Sequence, residues 1–160
     1  MRSYSDHSEV YIHSIWSTEG HEPIITASIQ PELYNSLAAT CELLQCTAIA
    51  IGGYYDHIHI LIRIPEQLPA SILIAQLKQN SLPILNKHNQ SSPILQWQAG
   101  YSAFNVRKQS LEFVKAYVLQ QKARHEAGRL IDELEYIDPN NAPSSASQPE
   151  ELHSTSVGCG

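Results

Sequence analysis

The chain has 160 residues, a length that fits one domain plus a tail and is enough to bury a real core. No apolar run approaches the roughly 18 residues of a membrane-spanning helix, and the three cysteines, Cys41, Cys46 and Cys159, match neither a disulfide framework nor a zinc spacing, so a reducing, cytoplasmic setting is expected. The formal net charge of −6 argues at first sight against nonspecific polyanion binding.

The N-terminal residues lack the charged start, apolar middle and small-residue cleavage site of a secretory leader. "VYIHSIWST" (10–18), rich in β-branched and aromatic residues, predicts a strand, followed by the loop "EGHEPI". "QPELYNSLAATCELLQC" (30–46) predicts a helix with Pro31 in its first turn, where a missing N–H costs little. "TAIAIGG" (47–53) and "HIHILIRIP" (57–65) predict two neighbouring strands joined through "YYD". Residues 68–88 predict a second helix that Pro83 ends or kinks. Residues 93–107 predict strand, turn at Ala99–Gly100, strand. Residues 108–128 predict a strong third helix closed by Gly128. From Asp138 the sequence turns to Pro, Ser, Asn and Gly with little to bury, which predicts disorder.

This order gives an α+β fold: a ferredoxin-like split β-α-β arrangement, with an antiparallel sheet of four to five strands, helices on one face and a C-terminal helix. The expected organisation is a domain over 1–130 and an acidic, Pro/Ser-rich tail over 131–160. Charge divides the same way. All six surplus acids lie beyond residue 129, whereas residues 107–129 carry Arg107, Lys108, Lys115, Lys122, Arg124 and Arg129 against Glu112 and Glu126, a local net +4.

The stretch "YYDHIHILIRIP" raises the chemical question. Strand side chains alternate between faces, so Ile58, Ile60, Ile62 and Ile64 share one face, and His57, His59, Leu61 and Arg63 the other. Two imidazoles at i and i+2 converge and are good metal ligands, with Asp56 placed to orient one ring. Spacing alone leaves this open against a half-exposed surface pair, and a metal needs a third ligand. On the last helix Tyr117 and Gln121 stack at i and i+4, with Arg124 near the same angle. On spacing alone Tyr117 reads first as a boundary packing residue with its hydroxyl in water.

Four stretches resemble the HUH-class single-tyrosine transposases of bacterial insertion sequences, including the REP-associated tyrosine transposases. They are "YIHSIWST", "GGYYDHIHILIRIP", "WQAGYSAFNV" and "VKAYVLQQKARH", in the family's order over residues 8–127. The resemblance implies that His57, His59 and Gln121 bind Mg²⁺ or Mn²⁺ and that Tyr117 is the nucleophile of a catalytic helix. It implies cleavage and rejoining of single-stranded DNA beside a hairpin, through a 5′-phosphotyrosine. It also implies homodimers in which the tyrosine helix can complete the partner's site. Arg107, Lys108, Lys115, Lys122 and Arg124 are then expected to contact phosphates, and Trp97, Tyr101 and Phe104 are candidates for base stacking, with packing favoured for Trp97 and Phe104.

Two segments that are basic in relatives are not so here. The loop "EGHEP" holds Glu19 and Glu22, and "QLKQNSLPILNKH" has only Lys78 and Lys87 as cations. Both weaken the expected grip on DNA. Two other readings therefore stand beside strand transfer: a noncatalytic single-strand or hairpin-binding module, and a small metallohydrolase in which His13 or His125 joins the histidine pair.

Overall fold

The computed structural model describes residues 9–87, 89 and 94–141. Its centre is a four-stranded antiparallel sheet in the order β2-β3-β1-β4, with β1 at Glu9–Ser17, β2 at Thr47–Tyr54, β3 at His57–Pro65 and β4 at Ser102–Asn105. The order of elements is β-α-β-β-α-β, and the fold class is the expected α+β sheet with packed helices. From Ile94, where its described part starts, the segment over 93–107 is less regular than the sequence predicts. Its only pairing among the described residues before β4 is one bridge, Thr18 with Trp97.

Register sets the two faces. Ile12 lies opposite Ile62, Ser14 opposite Ile60 and Trp16 opposite Ile58, so this face is almost wholly apolar. Helix α1 (Gln30–Leu43) and helix α2 (Ala70–Asn86) cover it. Helix α1 buries Leu33, Leu37, Thr40 and Cys41, an i, i+4, i+7, i+8 stripe; α2 buries Leu73, Ile74, Leu77 and Leu85. Pro83 does not end α2, which runs on to Asn86. Trp97 packs edge-on against Trp16 and donates its indole N–H to Ser81 Oγ at 3.1 Å. It is therefore core, and Tyr101 is also buried, so neither is free to stack on a base. Lys78 is a buried cation whose ammonium donates to the carbonyls of Gln98 (2.9 Å) and Gly100 (2.7 Å), fixing that loop. Burial lowers its pKa to about 8.

The opposite face carries His13 and Ile15 of β1, Ala50, Gly52 and Tyr54 of β2, and His57, His59 and Leu61 of β3. Helix α3 (Leu111–Leu119) covers its middle, where Val114 and Val118 pack on Ala50 and Leu61. Gly52 sits directly opposite His59 in the ladder. A Cβ there would fall 1.8 Å from the Val118 carbonyl oxygen. Only a residue without a side chain lets the end of α3 settle beside the histidine.

The predicted third helix is broken. Gln120 has φ −98° and ψ 15°, outside helical geometry, and α4 (Gln121–Ala127) starts after it. Gly128, in the left-handed region at φ 69°, closes α4 as expected. Of the expected 131–160 tail, the structure describes 131–141, and these residues lie on the domain. They form the single turn α5 (Asp132–Glu135) and two anchors: the Asp138 N–H donates to Ser102 Oγ (2.9 Å), and the Asn141 amide donates to the Tyr101 carbonyl (3.2 Å). The predicted disorder beyond 141 falls outside the described residues.

Candidate functional site

The histidine face brings most of the predicted residues to one point. His57 and His59 come from β3, Tyr117 from the end of α3 and Gln121 from the start of α4; all four are buried. His57 Nε2 lies 3.1 Å from Gln121 Oε1. The i, i+4 relation of Tyr117 and Gln121 survives the break at Gln120, so phenol and amide reach the same side.

Hydrogen bonds orient each ring. The Asp56 carboxylate accepts from His57 Nδ1 at 2.7 Å, which puts the ring proton on Nδ1 and turns Nε2 toward the centre. Burial would raise the pKa of Asp56, but its hydrogen bond and charge interaction with His57, and the charge of His21, hold it below the usual value. His59 Nδ1 is 2.8 Å from His13 Nε2, and the two rings stack with centroids 5.0 Å apart. Burial drives both toward the neutral form, His13 to a pKa of about 3 and His59 to about 4. His125, four residues after Gln121 and on the same side of α4, places Nε2 3.0 Å from Gln121 Oε1 and stacks on Tyr54.

Glu135 of α5, which sequence reasoning left in the tail, stands at the middle. Its Oε1 is 3.3 Å from His59 Nε2, 3.6 Å from His57 Nε2 and 3.5 Å from His125 Nε2. Its Oε2 accepts the Tyr117 hydroxyl at 2.5 Å and the Gln121 amide at 3.1 Å. Burial alone would raise its pKa, but hydrogen bonds from His59, Tyr117 and Gln121 and the charge of His59 bring it down to about 2. The Tyr117 oxygen also accepts the Ile131 N–H at 3.0 Å. Burial, and then the bond to Glu135, push the phenol pKa up to about 12. The Arg124 guanidinium lies 4.6 Å from the ring centroid. A sequence signal for α5 did exist: "IDELEYI" places Ile131 and Leu134 one helical turn apart, a short apolar side able to dock.

The predicted cations divide. Arg124 joins the site, and Lys122 stands at its edge with Nζ 5.9 Å from the centre of the Tyr55 ring. Lys115 is half-buried on α3. Arg107 and Lys108 flank a shallow cleft with Glu9 and Tyr11. Tyr11 is four residues along β1 from Ile15, the partner of His59, or about 13 Å at strand rise. Those two cations are not part of the site.

The donor set suits a divalent ion. Ligand atoms of His57, His59 and Glu135 all lie within 4.8 Å of one another. Bonds of about 2.1 Å set neighbouring ligands roughly 3.0 Å apart in an octahedron and roughly 3.4 Å apart in a tetrahedron. The separations of 3.1 Å from His57 Nε2 to Gln121 Oε1 and 3.3 Å from His59 Nε2 to Glu135 Oε1 fall in that range, and the 3.6 Å from His57 Nε2 to Glu135 Oε1 lies just above it. His57 Nε2 faces two oxygens, Gln121 Oε1 and Glu135 Oε1, an arrangement in which the three atoms can share a proton or a cation.

Comparison with known proteins agrees with this architecture. No curated protein matches the sequence. A candidate transposase from Deinococcus radiodurans R1 superposes with a TM-score of 0.58 at 16% identity, over 69% of this chain and 88% of its own. A REP-associated tyrosine transposase bound to a REP hairpin superposes with a TM-score of 0.54 at 13% identity, over 77% of this chain and 70% of its own. At these identities the likeness speaks for the fold. No described helix is long and apolar enough to cross a membrane. The family model described as "Transposase IS200 like" matches residues 6–121, which span β1 through Gln121, and the chain belongs to that transposase family.

Proposed function

We propose that the protein cuts and rejoins single-stranded DNA through a transient 5′-phosphotyrosine on Tyr117. The observation that carries this reading is the convergence, within one chain, of the Tyr117 hydroxyl and the His57, His59 and Gln121 donors. His57, His59 and Gln121 would hold Mg²⁺ or Mn²⁺, and that ion, when bound, polarises the scissile phosphate and steadies its developing charge.

The chain's own groups supply the rest. Asp56 and His13 fix the two imidazoles. The Tyr117 oxygen, once free of Glu135 and Ile131, attacks phosphorus, the bond to the 3′ oxygen breaks, and that oxygen leaves as a free 3′-OH after taking a proton. Arg124 over the ring stabilises negative charge on the phenol as its proton departs. The phosphodiester energy stays in the O–P link, so a 3′-OH can attack it later and restore Tyr117 without ATP. Tyr55 and Lys122 flank a cleft beside Gln121, an aromatic and a cation suited to a single strand. In this reading Tyr117 and Gln121 serve the His57–His59 pair of their own chain, which Gln121 approaches at 3.1 Å.

The test is a covalent adduct between the protein and a hairpin-flanked single-stranded oligonucleotide in Mn²⁺, expected for the wild type and absent for Tyr117→Phe. A second reading, a noncatalytic single-strand or hairpin-binding module, draws support from one observation: both Glu135 and Ile131 engage the phenol oxygen and its pKa is pushed up to about 12. That reading predicts no adduct, with DNA retention unchanged by Tyr117→Phe or by chelator.

A further inference from the structure

We infer that Glu135 is a ligand of the divalent ion in this chain and also the group that positions Tyr117 beside it. The inference rests on the metal-dependent reading above but concerns a residue beyond it. The match to the family ends at Gln121, and Glu135 lies 14 positions further on. The carboxylate therefore lies outside the stretch that the family model matches.

Three observations carry the assignment. The first is the division of labour between its two oxygens. Oε1 faces three imidazole nitrogens at 3.3–3.6 Å, while Oε2 takes the hydrogens of the Tyr117 hydroxyl and the Gln121 amide. One oxygen is turned to the donor cluster and the other to the nucleophile, so one side chain sets the distance between them. The second is chemical. Two neutral imidazoles and one amide carry no charge, and hard divalent ions prefer oxygen ligands with negative charge. Glu135 is the one carboxylate that groups with both His57 and His59 among the described residues. The third is support. Glu135 is not on a free end, because α5 is tied on one side by the Ile131 N–H to Tyr117 and on the other by Asp138 to Ser102 and Asn141 to Tyr101. Gly100, at φ 101°, makes room for this strap, since a Cβ there would lie 2.8 Å from the Asp138 carbonyl oxygen. A half-buried group held at both flanks and hydrogen-bonded to its partners is preorganised for a ligand.

The experiment is a Mn²⁺ titration of the full chain without DNA, read by loss of the free-ion electron paramagnetic resonance signal. Glu135→Gln keeps the shape and removes the charge; its dissociation constant is expected to rise about 10- to 100-fold. Glu135→Asp keeps the charge but withdraws it by one methylene and is expected to fall between wild type and Glu135→Gln. Asp132→Asn and Glu133→Gln, exposed on the same turn, are expected to stay within about twofold, which separates ligation from loss of general charge. Thermal melting in chelator shows that each variant is folded. Mn²⁺ affinity unchanged or raised in Glu135→Gln overturns the inference and makes the carboxylate an occupant of the ion's place. A wild type that takes up no Mn²⁺ overturns it too. Glu135-dependent binding with no DNA adduct leaves the inference standing and removes strand transfer; an adduct with Mn²⁺ affinity indifferent to Glu135 does the reverse.

Discussion

The two faces of β3 lie back to back on one nine-residue strand and are built on opposite rules. On one, four isoleucines meet the apolar stripes of α1 and α2, and their burial needs no exact partner. On the other, two histidines meet a phenol, an amide and a carboxylate at hydrogen-bonding distance, and every buried polar group needs a specific mate. The contrast teaches that the first face holds the fold while the second spends part of that stability on placement. Among buried side chains of the histidine face, His13 Nδ1 has no hydrogen-bond partner, and Tyr117 is held in its least reactive protonation state.

Substitutions can break this division. The largest effect on stability is expected from Ile60→Ala, which empties a fully buried position and should cost about 2–5 kcal/mol in denaturant unfolding with a similar penalty at every pH. If His57→Ala, which strips the other face, cost as much, the division would fail. Acid should find the histidine face alone. In chelator, unfolded histidines take up protons below about pH 6.5, whereas His13 and His59 resist until about pH 3 and 4. Stability is therefore present above pH 6.5 and should fall as pH drops through that window, by roughly 1–3 kcal/mol per pH unit. A melting temperature flat from pH 7 to 4.5 would contradict the buried, neutral pair.

A smaller effect should sharpen the boundary between structure and chemistry. Gly52→Ala must push the Val118 carbonyl away, at a cost of about 1–3 kcal/mol, and should lower Mn²⁺ affinity more than an equally destabilising core change, because it moves the end of α3 away from His59. Smallest is the response of the basic positions. Lys122→Gln, at the rim of the site, should reduce the salt slope of single-strand binding by about 1, while Arg107→Gln, at the far end of β1, should leave it unaltered. Equal effects from both would extend the nucleic-acid surface along the whole sheet.

The faces also differ in how far the sequence announces them. Alternation in "HIHILIRIP" is local, so the isoleucine side, the sheet and the helices that cover it can be read residue by residue. The histidine pair is equally visible, and Tyr117 and Gln121 follow from helical spacing once the resemblance supplies a reason to look. The partners of those residues are not local. Nothing near His59 in sequence points to His13, 46 positions earlier, or to Glu135, 76 positions later. Those pairings come from strand register and from the path of the chain after Gly128. The acidic, weakly apolar run that follows resembles a solvated tail because α5 is one turn long, so the single Ile131–Leu134 spacing is all the periodicity it offers. The break at Gln120 is hidden for the same kind of reason, since the residue types on either side suit an unbroken helix.

The strap that carries Glu135 runs from His59 on β3 to Ser102 on β4, past β1 between them, and adds no residue to the isoleucine layer; it is fastened to the domain by a few polar clasps. Drift in that short run could alter the formal charge around an ion without unravelling the sheet. The isoleucine layer and the carboxylate at the histidine pair are in this way inherited on separate stretches of the same polypeptide, each able to change at its own pace.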